Sequence, residues 1–118
     1  MVSFQDFQKL DIRIGTVVEA VVPEWSHWVI KLRVDFGPEI GDRTIFAGMM
    51  KFYEPKEFVG KQFPFVANMK PKKIGPMGDF SEGMMLAADL IEDMSKPEEG
   101  KPILFKLGKK VPNGTKVR

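Results

Sequence analysis

Cysteine is absent from this chain of 118 residues. That excludes a disulfide framework and any thiolate metal site, and it fits a reducing compartment, so a cytoplasmic location is expected. Histidine occurs once, at His27. An enzyme needs a positioned nucleophile, base or metal, and a lone histidine beside Trp25 and Trp28 reads as a packed loop residue rather than a general base. The carboxylate pairs Glu92-Asp93 and Glu98-Glu99 fall in an acidic stretch interrupted by Pro97, which reads as a solvated face. Neither phosphate-cradling glycine motif is present; Gly75 and Gly78 fit neither spacing. No catalytic residue, metal site or cofactor is therefore assigned. Long apolar runs are missing too, so no membrane helix of roughly 18 residues can form. The start, MVSFQDFQKL, has no basic patch followed by an apolar core and is not a secretory signal. Charge of one sign is also scarce: 18 basic against 16 acidic residues leave a net +2. Any contact with a polyanion must come from local charge placement, not a global field.

What remains is an ordinary globular composition, 43% apolar and 29% charged, of a length that makes one domain, residues 1–118. Phe4, Phe7 and Leu10 at helical spacing behind Ser3 predict a short helical lead-in, a lid over an open end of the core. Residues 11–22 alternate as a long strand, with Ile12, Ile14, Thr16, Val18 and Ala20 on one face. Gly15 inside it predicts a bend, after which both faces are partly buried. Residues 29–36 form the clearest strand: Ile30, Leu32, Val34 and Phe36 face one way, Lys31, Arg33 and Asp35 the other. A third strand spans 43–50. A helical turn at 53–59 begins with Glu54-Pro55 and ends at Gly60. A fourth strand spans 62–69, where Pro64 argues for an edge or a bulge, and a fifth spans 83–88. An acidic stretch follows, then a short strand at 102–107 and an Asn113-Gly114 turn. Met49, Met50, Met84 and Met85 fall in strands and read as core filler.

Five short strands with a brief helix between the third and fourth predict an all-β fold with minor helix. The expected architecture is a five-stranded Greek-key barrel of the oligonucleotide/oligosaccharide-binding type (OB-fold) at about residues 11–88, with a C-terminal extension over 89–118. Such barrels bind ligands on strands two and three and on the loops after strands one and four. Here those elements carry Lys31, Arg33, Trp25, Trp28 and a basic loop.

That loop, VANMKPKKIGPMGDFSEGMMLAA at 66–88, places Lys70, Lys72 and Lys73 within four residues around Pro71. Cations at fixed spacing on a stiff support suit a phosphate backbone. The plain alternative is a solvated hairpin loop kept soluble by its lysines.

These segments, with LDIRIGTVVEA, KLRVDFG, AGMMKFYEPKEFVGK and VPNGTKV, resemble the structure-specific tRNA-binding domain family. That family includes the C-terminal domain or beta subunit of methionyl-tRNA synthetases and the tRNA-binding module of endothelial-monocyte-activating polypeptide II. The most specific match joins Asn68, Lys70, Pro71, Lys72 and Lys73 to Ser81, Gly83 and Met84. The resemblance implies an auxiliary barrel that grips tRNA by shape, with Asn68, Lys70, Lys72, Lys73 and Ser81 at its centre. Alternation along the second strand lets Lys31 and Arg33 line the same groove, and the place of Trp25 and Trp28 in the loop after the first strand lets either offer a base-stacking face, the plain alternative being that they fill the barrel mouth. The resemblance also implies homodimerisation, for which Ile103, Leu104, Phe105, Leu107, Val111 and Val117 are candidates, and a free-standing chain or a partnership with a methionyl-tRNA synthetase catalytic subunit. The chain departs from the family near 26–29, where Trp28 stands close to a frequent lysine, and at 75–79, where the basic loop is longer. IKLRVDFGPEIG also resembles a bacterial secretion-associated chaperone on the same barrel, which leaves peptide binding as the alternative.

Overall fold

The first long strand has both of its edges occupied, and that determines the architecture. In the computed structural model, which describes residues 1–118, β1 (Ile12–Val21) pairs antiparallel with β2 (Ile30–Asp35) and with β4 (Gln62–Val66). β3 (Asp42–Ala47) follows β2, and β7 (Met84–Met85) follows β4, giving the order β3-β2-β1-β4-β7. The sheet nearly closes between its two outer strands. The Glu82 amide donates to the Thr44 carbonyl at 2.8 Å, and the Phe46 amide donates to the Ser81 hydroxyl at 3.0 Å. This is the five-stranded OB-like barrel expected, with a 3-10 turn at Pro55–Glu57 between β3 and β4.

Alternation along β2 works as read: Ile30, Leu32, Val34 and Phe36 are all fully buried. They pack with Val17, Ile45, Phe58, Phe63 and Phe65 in the central cluster. In the first half of β1 the inward face is the opposite of the expected one, whereas Ala20, beyond the bulge at Val18, packs against the core as expected. Gly15 and Val17 face the core, and a Cβ on Gly15 would run into Val34 and Phe36. Ile12 and Ile14 are buried outside that cluster. The register with β2 skips Val18, a bulge that lets Val17 and Glu19 pair with successive residues of β2.

Several other expectations need correction. The helical lead-in is real but short: α1 (Phe4–Phe7) is capped by Ser3, whose hydroxyl accepts from the Asp6 amide at 3.1 Å. No residue of α1 is buried and Phe4 is 71% exposed, so it is not a lid over the core. Pro64 lies in an interior strand, opposite Ile14. It costs β1 no bond, because Ile14 donates to Thr115 and accepts from Gly114 instead. The Pro64 carbonyl still accepts from the Leu86 amide at 3.0 Å. The fifth strand splits. After β7, β8 (Ala87–Leu90) leaves the barrel to pair with β9 (Lys101–Leu104). Met49 and Met85 fill core, but Met84 is 45% exposed. His27 is exposed in its loop, not packed.

The Asn113-Gly114 turn makes no free hairpin. It docks on the first half of β1, where the amides of Gly114 and Val117 donate to Ile14 and Ile12 at 2.7 and 2.8 Å. The Asn113 carboxamide oxygen accepts from Thr16 Oγ1 at 2.6 Å and from Gln62 Nε2 at 3.0 Å. Val111 and Val117 thus belong to a segment that covers its own barrel.

Candidate nucleic-acid interface

The basic stretch is a hairpin, not a loop. β5 (Lys72–Ile74) pairs with β6 (Asp79–Ser81) across the turn Gly75–Gly78, with Lys72 opposite Ser81 and Lys73 opposite Phe80. Gly75 and Gly78 both adopt positive φ, 73° and 80°, which L side chains avoid. These two glycines turn the apparent insertion into a tight reversal. Alternation then sends Lys72 and Lys73 to opposite faces. Lys72 shares a face with Ile74, Asp79 and Ser81. Lys73 shares the other with Phe80, which is 51% exposed.

Three contacts pin the hairpin against the outside of β2 and β3. Trp25 fills the space beside Gly75 that any Cβ would need. Its ring lies 6.1 Å from Phe46 and 6.1 Å, edge-on, from Trp28. Lys31 Nζ lies 3.6 Å from Asp79 Oδ2 and 6.0 Å above the Phe46 ring. Ser81, at the hairpin's base, is buried; its hydroxyl accepts from Phe46 and donates to the Gly83 carbonyl at 3.1 Å.

The structure separates the expected binding residues into two groups. Lys70, Lys72 and Lys73 are exposed and form no ion pair, so their ammonium groups are free for a partner. Trp28 is 51% exposed, whereas Trp25 is half-buried between Gly75, Phe46 and Trp28. The others have intramolecular partners. Asn68 accepts from the Asp11 amide at 2.9 Å and donates to the Lys9 carbonyl at 2.7 Å, tying the end of β4 to the entry of β1. Arg33 bridges Glu19 and Asp42, which raise its pKa, while it holds Glu19 below the usual carboxylate range. Arg33 therefore contributes no uncompensated positive charge, and Lys31 shares its charge with Asp79.

Sequence reasoning missed three residues of this region. Phe46 is the aromatic floor on which Trp25 and Lys31 rest. Arg43 reaches across the barrel seam to the carbonyls of Ala67 and Glu82. Arg13, 5% exposed, is held by Asp11 at 2.7 Å, by Glu39 at 3.3 Å and by the Gly114 carbonyl at 3.1 Å. Arg13 and Arg43 share a cleft of about 670 Å³ with Lys70 and Pro71. Asp11, Glu39 and Glu82 also line it, so it is balanced in charge and is not a concentrated anion site. Only the polar run Asp42-Arg43-Thr44 ahead of the apolar Ile45-Phe46-Ala47 in β3 could have pointed to part of this.

The family model described as "Putative tRNA binding domain" matches residues 12–116. A methionine–tRNA ligase from Methanothrix thermoacetophila is 41% identical over 118 residues, all of this chain but 16% of that protein. Thus the chain spans about a sixth of the length of that relative. The crystal structure of a MetRS-related protein from Pyrococcus horikoshii superposes with a TM-score of 0.85 at 35% identity, covering 100% of this chain and 98% of that one. The chaperone CsaA from Bacillus anthracis gives a TM-score of 0.80 at 33% identity, covering 100% and 99%.

Proposed function

The chain belongs to the tRNA-binding domain family, and from that premise we propose that it binds tRNA through the β5–β6 hairpin as a non-catalytic module. The observation that carries this reading is the set of three unpaired lysines, Lys70, Lys72 and Lys73, on a support fixed by Trp25, Phe46 and the Lys31–Asp79 pair. Two lysines on opposite faces of one narrow ribbon suit phosphates on either side of a groove or bend better than a single straight strand. That is contact with shape rather than with base sequence. Trp28 offers a stacking face beside them, and Lys31 adds charge at the hairpin's foot. Asn68, Ser81 and Arg33 act by holding the frame in which the lysines stand. A rigid frame reduces the ordering entropy lost on binding.

The relatives support a role beside methionyl-tRNA synthesis, in the cytoplasm, either as a free-standing protein or joined to a synthetase catalytic subunit. We propose a homodimer as well. Val111 and Val117 are hydrogen-bonded through their backbone to their own barrel, although Val117 is 38% exposed, and Ile103 and Phe105 are 43% and 46% exposed on and just beyond β9. Sedimentation at micromolar concentration should give twice the chain mass; a monomer there would remove the dimer.

A mobility-shift titration with tRNA and with a scrambled single strand at two salt concentrations tests the main reading. Affinity for tRNA should fall steeply with salt, and each lysine removed by Lys72→Ala and Lys73→Ala should flatten the slope by roughly 0.7–0.9. Unchanged affinity and slope would reject it. One observation favours the peptide-binding alternative: an open groove of about 580 Å³ lined by Trp28, Phe52, Met84 and Leu86. Apolar peptide bound there would show little salt dependence.

A further inference from the structure

A second cluster of lysines lies at the other end of the barrel. Lys61, Lys106, Lys109 and Lys110 ring a depression of about 420 Å³ whose floor is Phe63, Leu104 and Leu107. All four lysines are exposed and none forms an ion pair. The only carboxylate lining the depression is Glu57, and it already accepts from the Glu54 amide at 2.7 Å. Four ammonium groups against one carboxylate is a larger local excess than the net +2 of the whole chain. Like charges so placed repel each other, so the cluster is least favourable when nothing anionic covers it.

The cluster is built rather than incidental. Lys61 ends the turn that leads into β4, while Lys106, Lys109 and Lys110 come from the segment after β9. Gln62 clips that segment to the barrel: its Nε2 donates to the Val111 carbonyl at 2.6 Å, and its Oε1 accepts from the Val111 amide at 3.1 Å. Tyr53 donates to the Pro102 carbonyl at 2.8 Å and fixes the start of β9. The segment that carries Lys106, Lys109 and Lys110 is therefore anchored on both sides, at Pro102 and at Val111.

We propose that this lysine ring is a second phosphodiester-binding surface, engaged by the same RNA that the hairpin holds. The inference rests on the tRNA-binding reading of the hairpin and extends its footprint. Lys61 and Asn68 bracket β4, whose extended backbone separates them by about 23 Å at roughly 3.3 Å per residue, and the hairpin lysines follow beyond Asn68. A small anion cannot reach both. A nucleic-acid duplex carries a charge about every 1.7 Å of axis and offers phosphates along the whole of that span. Because lysine contacts to phosphate carry no base information, the second surface adds affinity and fixes orientation on the RNA without adding sequence preference.

The test uses the full chain and an unmodified tRNA. Lys109→Glu with Lys110→Glu should weaken tRNA binding at least tenfold at low salt. Lys109→Ala with Lys110→Ala should flatten the salt slope by roughly 0.7–0.9 per lysine. Saturating tRNA should also protect Lys109 and Lys110 from an amine-reactive label, a readout that needs no variant to fold. An unchanged slope and no protection, with Lys72→Ala and Lys73→Ala still effective, would overturn the second surface and leave the hairpin reading in place. If neither pair of lysines matters, both readings fail together. Equal protection by millimolar inorganic phosphate, or by raised protein concentration alone, would also overturn it, in favour of a general anion site or of burial by a second copy.

Discussion

The indole of Trp25 lies in the space that a Cβ on Gly75 would occupy. One residue belongs to the loop after β1 and the other to the turn of the basic hairpin, so this contact sets where the lysines stand. Gly75→Ala should therefore do more than strain a residue at φ 73°. The left-handed backbone alone costs about 1–2 kcal/mol, and the indole must also move. Gly78→Ala, at φ 80° with open space around it, isolates the backbone cost. Urea denaturation should show Gly75→Ala as the more destabilised of the two, with a shift in tryptophan emission that Gly78→Ala lacks. Equal losses and equal spectra would mean that Trp25 does not position the hairpin.

The two tryptophans should separate in function. Trp28, half-exposed, is the stacking candidate, and Trp28→Ala should cost about 1–3 kcal/mol of tRNA affinity with the fold intact. Trp25→Ala should loosen the hairpin, which would appear as faster hydrogen exchange at residues 72–81. If Trp28→Ala binds tRNA as tightly as the parent protein, base stacking is excluded at this position.

Ser81 should prove a stability residue. Its hydroxyl is the acceptor for the Phe46 amide at the barrel seam. Removing it leaves a buried donor unpaired at a cost of about 1–3 kcal/mol. Ser81→Ala should lower the unfolding free energy measured by urea denaturation by that amount while the folded protein keeps its tRNA affinity. A loss of affinity without a loss of stability would instead place the hydroxyl against the RNA.

Acid should weaken the fold partly through Glu39. Arg13 donates two hydrogen bonds to it and holds its pKa below the ordinary 4.5. A carboxylate whose pKa is lower in the folded than in the unfolded state stabilises the fold above the unfolded value. That contribution is lost as pH falls through the folded value. Stability measured by urea titration should fall below about pH 4.5, and Glu39→Gln should flatten that fall. An identical pH profile in the variant would show that the contact carries no stability.

Much of this protein was readable from local chemistry. The alternation of Ile30, Leu32, Val34 and Phe36 with Lys31 and Arg33 determined β2, because a strand has a period of two wherever one face is buried. The Ser3 cap, the Pro55 turn and the clustering of Lys70, Lys72 and Lys73 needed nothing distant either. The match of Asn68 to Met84 with a known motif was legible for the same reason. What the sequence could not determine depended on partners far along the chain. Which face of β1 points inward was decided by Val34 and Phe36 closing on Gly15, and by a C-terminal segment 100 or more residues away in sequence docking on Ile12 and Ile14. That docking also made Pro64 tolerable inside the sheet. The hairpin in place of a loop, with its two lysines on opposite faces, depended on Trp25 and Phe46 giving it a floor. Which cations remain free was settled only by whether a carboxylate came within reach: Glu19 and Asp42 for Arg33, Asp79 for Lys31, and none for Lys70, Lys72 and Lys73. Charge in a sequence is a count, but charge available to a partner is what remains after folding has paired it, and only the tertiary structure does that pairing.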